Sequence, residues 1–393
     1  MTPKTVMTIF GTRPEAVKLA PVVLEMRQGG RALTPFVCVT GQHRQMLYPV
    51  LNWFGITPDC DLQLMQQDQS LAEFAGRALL SLNSVLKQIK PDAILVQGDT
   101  TTAMIASMAA FYNQIPIGHI EAGLRTGDLG NPFPEEMNRR FVGTVAQFHF
   151  APTERAARAL LREQVNPNAV FVVGNTVIDA LRLTMERPAH LNLNFPVQDR
   201  RVVLVTAHRR ESFGAPFESI CSALRDLTDR NIDIELVYPI HLNPNVRVPV
   251  MRHLSGHPRI HLLEPLRYEQ FVHLMSHCYL ILTDSGGIQE EATALGKPTL
   301  IMRNTTERPE AIDAGTAKLV GIDRADIVKE TERLLRDKDT YRSMANGKCP
   351  FGDGYAAKRI LDVLAGYSPD DQATRNSGYR VSPPQANRVC PVM

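Results

Sequence analysis

The sequence predicts an α/β protein built from two doubly wound, Rossmann-like parallel sheets facing one another across a cleft. Short apolar runs alternate with helix-period segments along most of the chain, the pattern of βαβ units. The alternation breaks once, over residues 175–200, and then restarts. Many of the apolar runs end in a polar, often glycine-bearing turn, and parallel sheets collect their chemistry on such turns, at the carboxyl ends of strands. A chain of 393 residues is long for one core and comfortable for two domains.

In the first unit, residues 6–10 read as a strand, Gly11-Thr-Arg-Pro-Glu15 as its turn and 16–27 as the following helix. A strand over 35–40 ends in Gly41-Gln-His-Arg-Gln-Met46, and a long helical pattern covers 71–89. Strand 93–96 leads through Gln97-Gly98-Asp99 into a helix reaching 110, and strands follow at 115–120, 148–151 and 170–173. The most informative stretch is 118–140, which carries Glu121, Arg125, Asp128, Glu135, Arg139 and Arg140. It closes on a helix starting near Pro134, because proline suits a first turn and Glu135 and Glu136 suit the positive end of the dipole. A solvated loop is the competing reading, but Glu121 lies one residue beyond an apolar run.

Asn175-Thr-Val-Ile-Asp179 opens a helix, and 188–196 is irregular. The second unit has strands at 202–206, 234–238, 260–263, 280–283, 299–302 and 318–320, with helices at 217–229, 268–276, 288–294 and 325–336. The expected division is 1–174, 175–367 with a last helix able to pack back on the first domain, and a disordered Pro/Ser/Asn/Gln-rich tail over 368–393.

Apolar content of 44% and charged content of 21% are ordinary for a globular chain, and a net charge of +2 gives no electrostatic case for nucleic acid. Cys38, Cys60, Cys221, Cys278, Cys349 and Cys390 contain no CxxC pair, which fits reduced thiols in a cytoplasmic protein better than a disulfide frame or a zinc site. His253, His257 and His261 recur every four residues, but Gly256 and Pro258 break any helix between them, so they read as surface histidines and no metal is expected. No apolar run reaches membrane-spanning length and no signal-peptide core is present, so no membrane partner is expected.

Several turns carry the chemistry. Phe10-Gly-Thr-Arg-Pro-Glu15 places Arg13 and Lys18 beside a helix N-terminus, a setting for phosphate, although it is neither GxGxxG nor GxxxxGK[ST]. Thr283-Asp-Ser-Gly-Gly-Ile-Gln-Glu-Glu291 is a stronger anion site: the N–H groups of Ser285, Gly286 and Gly287 can cradle a diphosphate, with Glu291 one turn on to meet ribose hydroxyls. Thr206-Ala-His-Arg-Arg-Glu211 offers His208 as an acid or as a cation for a leaving phosphate, with Arg209 and Arg210 beside it, and Thr305-Thr-Glu-Arg-Pro-Glu310 adds Arg308. Asp99, Glu121 and Glu135 form a carboxylate rim on the first domain, where grouped carboxylates acquire separated pKa values suited to acid–base work. Magnesium on Asp99 is the alternative use of that rim.

With these residues together, the chain resembles the non-hydrolysing UDP-N-acetylglucosamine 2-epimerases of bacteria. The resemblance rests on FGTRPEAVKLAP, TGQHRQML, GDTTTA, GHIEAGLRTGD, PFPEEMNRR, VGNTVIDAL, TAHRRESFG, PIHLNPNVR, LTDSGGIQEEA, GKPTLIMR and TTERPEA, which span residues 10–315. It implies a fold like the B-type glycosyltransferases, a homodimer, no cofactor, and reversible conversion of UDP-GlcNAc to UDP-ManNAc for surface polysaccharide. It also implies substrate contacts at Arg13, Lys18, Asp99, Glu121, His208, Phe271, Ser285, Gly286, Gly287, Glu291 and Arg308, with Asp99, Glu121, Glu135 and His208 catalytic and Arg139 close by. Leu266 is a departure, since some members carry glutamine there. Some relatives bind a second UDP-GlcNAc, and Gln42, His43, Gln45, Arg209 or Arg210, and His241 resemble the elements that hold it; a purely interface-stabilising role is the competing reading. A hydrolysing epimerase, a B-type glycosyltransferase and a catalytically silent sugar-nucleotide binder are the alternatives to the main reading.

Overall fold

The computed structural model describes residues 3–41, 44–66, 68–189, 191 and 200–367. Two all-parallel sheets carry the chain. The first holds β1 (Lys4–Phe10), β2 (Leu33–Val39), β3 (Cys60–Asp61), β4 (Ala93–Gln97), β5 (Ile117–Ile120), β6 (Phe148–Ala151) and β7 (Val170–Val172), in the order β3-β2-β1-β4-β5-β6-β7. The second holds β8 (Arg201–Thr206), β9 (Ile234–Pro239), β10 (Ile260–Leu263), β11 (Leu280–Thr283), β12 (Thr299–Ile301) and β13 (Ala317–Leu319), in the order β10-β9-β8-β11-β12-β13. Each order reverses once, between β1 and β4 and between β8 and β11. Such reversals open a crevice beyond the carboxyl ends of the strands, where ligands bind.

Helices cover both faces, which is why central strands such as β4, Ala-Ile-Leu-Val-Gln, are buried throughout instead of alternating. On the first sheet these are α1 (Arg13–Arg27), α2 (Arg44–Phe54), α3 (Leu71–Ile89), α4 (Thr101–Tyr112), α5 (Glu135–Val145) and α6 (Glu154–Arg162). From the junction onward run α7 (Thr176–Met185), α8 (Ala215–Arg230), α9 (Pro244–Leu254), α10 (Tyr268–His277), α11 (Gly286–Ala294), α12 (Pro309–Asp313), α13 (Arg324–Arg336), α14 (Lys338–Ala345) and α15 (Ala356–Ala365). α15 returns to the first sheet, burying Ile360, Leu361 and Leu364 in the core that also holds Val6, Leu19 and Phe148. Asp179 on α7 fixes that return by accepting the N–H groups of Ala356 at 3.1 Å and Ala357 at 2.8 Å, the donors left open at a helix start.

Five helices, α2, α6, α9, α12 and α14, fall outside the expected set. α2 and α9 contain Pro49 and Pro249, which mask helical periodicity, and α9 starts at Pro244 behind the Asn243 cap. α6 was hidden by its short, alanine-rich length. His253 lies in the last turn of α9, while His261 on β10 pairs with Glu235 at 2.7 Å; His257 pairs with Asp229 at 3.2 Å. The tail over 368–393 lies outside the described residues. Among those described, no helix is long and apolar enough to cross a membrane.

Candidate active site

Both sheet reversals open onto the same cleft, and the predicted turns are the ones that leave it. From the first sheet, Gly98-Asp99 follows β4 and Glu121 follows β5. Gly98 takes a positive φ of 68°, and its N–H closes on Ile120 O at 2.9 Å. Glu121 itself has φ +65°, a conformation that costs a non-glycine residue of order 1 kcal/mol and is kept mainly where surroundings over-determine it. The surroundings are explicit. Glu121 Oε1 accepts from Lys18 Nζ at 2.6 Å, Asn175 Nδ2 at 3.2 Å and Arg308 Nη2 at 3.5 Å, and Oε2 accepts from Gln97. Burial raises the Glu121 carboxyl, but Lys18 and Arg308 outweigh it and hold the group below the usual carboxylate range.

This cluster joins the two sheets. Arg308, at the N-cap of α12, also pairs with Glu290 of α11, and Asn175 Nδ2 donates to Glu290 Oε2 at 3.0 Å while its Oδ1 caps α7. Sequence reasoning missed Glu290, Asn175 and Gln97 as site-building residues. Each lies within or next to a segment singled out earlier, and the available signal was a second buried acid beside Glu291 that needs a cation.

Asp99 lies above this cluster, its side chain 26% exposed and ion-paired with Arg139 of α5. Burial pushes its carboxyl up; Arg139 opposes that, while Glu121 and Glu135 add to it. Asn138 fixes the turn by donating to Asp99 O at 2.9 Å. Glu135 opens α5, and its Oε2 is buried without a protein partner. The other charges of the loop are structural. Glu136 ties it together through Thr126 N, Gly127 N, Arg139 and Arg140, whereas Arg125 pairs outward with Glu163 at 2.7 Å.

The phosphate setting at the start of α1 differs from expectation. The N–H groups of Gly11 and Thr12 donate to Glu15 at 3.0 and 2.8 Å, and Lys18 is committed to Glu121, so this turn is capped from within. Arg13 remains as its half-buried cation.

The second sheet presents the opposite arrangement. Ser285 caps α11 with no side-chain bond to the helix, and the N–H groups of Gly286 and Gly287 point from the helix start. A Cβ built at Gly287 would meet no atom within 4 Å, so the protein itself leaves that space empty. Asp284 is fully buried; its Oδ2 accepts the N–H groups of His208 at 2.6 Å and Arg209 at 2.7 Å, and its unpartnered Oδ1 stands 3.7 Å from His208 Nδ1. Burial lowers the His208 pKa, partly countered by Asp284 and reinforced by His241, whose ring stacks on it at 5.3 Å. Glu291 is buried with Oε1 unpartnered, and burial pushes its carboxyl up to about 7, offset in part by the Tyr268 hydroxyl. Leu266, Phe271 and Ile288 are half-buried and pack against the core cluster that holds Val202, Leu204 and Val272. Arg209 lies over Gly286, whereas Arg210 is exposed. Gln42 and His43 fall outside the described residues, as does the side chain of Gln45.

Buried polar atoms without a partner are uncommon in folded proteins. Here Asp284, Glu135, Glu291 and Arg139 each contribute one to this single cleft, which marks it as built for a polar ligand. Among the described residues no group of three or more His, Cys, Asp or Glu side chains is placed to hold a metal ion.

A model of the UDP-N-acetylglucosamine 2-epimerase family matches residues 26–365. The chain is 52% identical over 372 residues to the UDP-N-acetylglucosamine 2-epimerase of Escherichia coli K12, covering 91% of this chain and 98% of that one. It is 48% identical to the enzyme of Bacillus subtilis, covering 91% and 94%. Among solved structures, UDP-GlcNAc 2-epimerase from Neisseria meningitidis bound to UDP-GlcNAc superposes with a TM-score of 0.86 at 47% identity, covering 92% of this chain and all of that one. The Methanocaldococcus jannaschii UDP-GlcNAc 2-epimerase in complex with UDP-GlcNAc and UDP superposes with a TM-score of 0.76 at 32% identity, covering 92% and 99%.

Proposed function

The chain belongs to the UDP-N-acetylglucosamine 2-epimerase family, and from that premise we propose that it interconverts UDP-GlcNAc and UDP-ManNAc without net hydrolysis. The observation that carries this reading is the opposition, across one cleft, of a carboxylate rim on the first sheet and an open helix N-terminus on the second. On this reading the diphosphate rests on Gly286 and Gly287, the pyranose ring meets Asp99, Glu121 and Glu135, Glu291 meets the ribose hydroxyls, and Leu266 and Phe271 give apolar surface to the base.

The C2 hydrogen of the sugar is not next to a carbonyl, so a carboxylate cannot remove it directly. As the C1–O bond breaks and UDP leaves with the electron pair, the ring gains oxocarbenium character and the C2 hydrogen becomes acidic. A carboxylate takes that proton, leaving a 2-acetamidoglucal. Re-addition of UDP at C1 with protonation of C2 from the opposite face gives the epimer. Arg13 neutralises the departing phosphate and His208 donates a hydrogen bond to it, interactions worth most in the transition state. Asp99, whose carboxyl burial pushes up, is assigned to give and take the C2 proton, whereas Glu121, held below the usual carboxylate range by Lys18 and Arg308, supplies negative charge beside the developing cation and a second site for proton traffic.

The protein acts as a homodimer in this reading. Leu80, Phe111 and Tyr112 on the packed pair α3 and α4 are exposed apolar side chains that an isolated chain would leave in water. Incubation with UDP-GlcNAc followed by separation of products tests the function. UDP-ManNAc appearing at equilibrium with substrate supports it; free ManNAc and UDP accumulating at the rate of substrate loss would place the chain with the hydrolysing enzymes.

A further inference from the structure

Outside the cleft, two of the cysteines stand side by side. β3 is the edge of the first sheet, and its ladder with β2 sets Cys60 against Cys38 and Asp61 against Val39. Paired residues of neighbouring strands share a face, and a strand spacing of ~4.8 Å lies within the Cα separation a disulfide spans. Both are free thiols, Cys38 fully buried and Cys60 half-buried at the edge. The Cys38 side chain beside it holds Cys60 below the ordinary thiol range, against burial and the charges of Asp61 and Asp59, while Cys60 together with burial pushes Cys38 up. By contrast, burial pushes Cys221 and Cys278 up to about 12 and also raises Cys349.

We propose that Cys38 and Cys60 are an oxidisable dithiol, with Cys60 the attacking thiol and Cys38 the resolving one, and that its co-reactant is a small-molecule disulfide. The Cys60 thiolate attacks one sulfur of the disulfide; that S–S bond breaks, and one half leaves as a thiolate that takes up a proton. Cys38 then passes its proton to the second departing half as its sulfur displaces that half from Cys60. Two protein thiols are oxidised to one disulfide and the small disulfide is reduced to two thiols. Because β3 is the edge of its sheet, the bond is open to attack by a small-molecule thiol, as a reversible modification requires. It also pins the segment after β3, whose Leu62 and Leu64 N–H groups donate to Val39 O and Thr40 O at 2.9 Å, against the Gly41 turn by which β2 reaches the cleft.

The test treats the full chain with oxidised glutathione at neutral pH, alkylates it under denaturing conditions and maps peptides by mass. The expected result is the loss of two hydrogens, a linked peptide pair containing Cys38 and Cys60, and reversal by dithiothreitol. Cys38→Ala should stop at a glutathione adduct on Cys60 and form it about fivefold more slowly, because the thiolate fraction falls faster than nucleophilicity rises. Cys60→Ser, at the sheet edge, keeps the test sound if the buried change misfolds; it should leave Cys38 unreacted in the native chain. A stable adduct on Cys60 of the unaltered chain with Cys38 still free would overturn the proposal. So would a link between chains, or a Cys60 that reacts no faster than Cys349.

Discussion

The two rims of the cleft solve opposite problems with the same βα geometry. On the first sheet the turns after β1, β4 and β5 end in charged side chains that largely satisfy one another, although Glu135 Oε2 and Arg139 Nε keep no partner: Glu15 closes the α1 N-terminus, Lys18 and Arg308 neutralise Glu121, and Arg139 meets Asp99. On the second sheet the turn after β11 ends in two glycines whose N–H groups are left open, beside an Asp284 oxygen and a Glu291 oxygen with no partner. A preassembled rim is what proton transfer to carbon requires, because its groups must hold position without reorganising. An unassembled one is what an anion requires, because the ligand itself completes it. Binding and chemistry should therefore separate by rim.

The largest expected effects lie on the first. Asp99→Asn and Glu121→Gln should each lower kcat by roughly a hundredfold or more, the scale of a lost general acid or base. They should differ in stability. Asp99 is partly exposed, so its amide should fold normally, whereas Glu121→Gln leaves Lys18 and Arg308 short of a buried counter-charge, a change that costs about 3–5 kcal/mol when a buried pair is broken. Thermal melts beside steady-state rates check both. Near-normal turnover in either variant would remove that residue from the proton path.

His208→Ala, on the second rim, should separate chemistry from binding. It should lower kcat by roughly a hundredfold, as the loss of one transition-state donor does, while changing the Kd for UDP about threefold or less. Calorimetric titration of UDP decides it; a much weaker Kd with kcat intact would make His208 a plain binding residue.

On the second rim, Gly287→Ala should leave the Tm unchanged or slightly raised, since the added methyl meets nothing within 4 Å and alanine favours a helix by about 0.5–1 kcal/mol over glycine. It should weaken UDP about tenfold by occupying the space a phosphate needs, the cost of roughly 1.4 kcal/mol. Undiminished affinity would move the diphosphate away from α11.

The smallest effect is on stability against pH. The Glu291 carboxyl is raised in the fold to about 7 from an ordinary value near 4.5, so the folded chain binds its proton more tightly than the unfolded one. Its contribution is fully present below pH ~4.5 and is lost as pH rises through 7. The fall in Tm between pH 5 and 8 should be smaller in Glu291→Gln than in the unaltered chain, measured without ligand; an identical fall would show that Glu291 is ionised across that range.

The contrast between rims also explains what the sequence disclosed. The strand–helix alternation, the Gly286-Gly287 helix start and the carboxylates Asp99, Glu121 and Glu135 are local in origin: alternation, glycine placement and a charge just past an apolar run can be read from neighbouring residues, although the Ser285 N–H expected to stay open donates to Thr283 Oγ1 at 2.9 Å. What escaped is mostly non-local. That Lys18 serves Glu121 instead of a phosphate and that Asn175 and Glu290 bind the sheets together depend on partners over a hundred positions apart. The Glu15 cap on its own helix is local, a Thr12-to-Glu15 capping box that the phosphate reading passed over. α9 escaped because Pro244 and Pro249 read as breakers, although the first stands where a helix tolerates proline.

The most direct measurement is proton NMR of UDP-GlcNAc turned over in deuterated water. If the carboxylate rim removes the C2 hydrogen while the second rim holds UDP, both epimers should carry deuterium at C2, with wash-in matching the rate of epimerisation and abolished in Asp99→Asn. Conversion to UDP-ManNAc with the original hydrogen retained at C2 would contradict proton transfer at that rim.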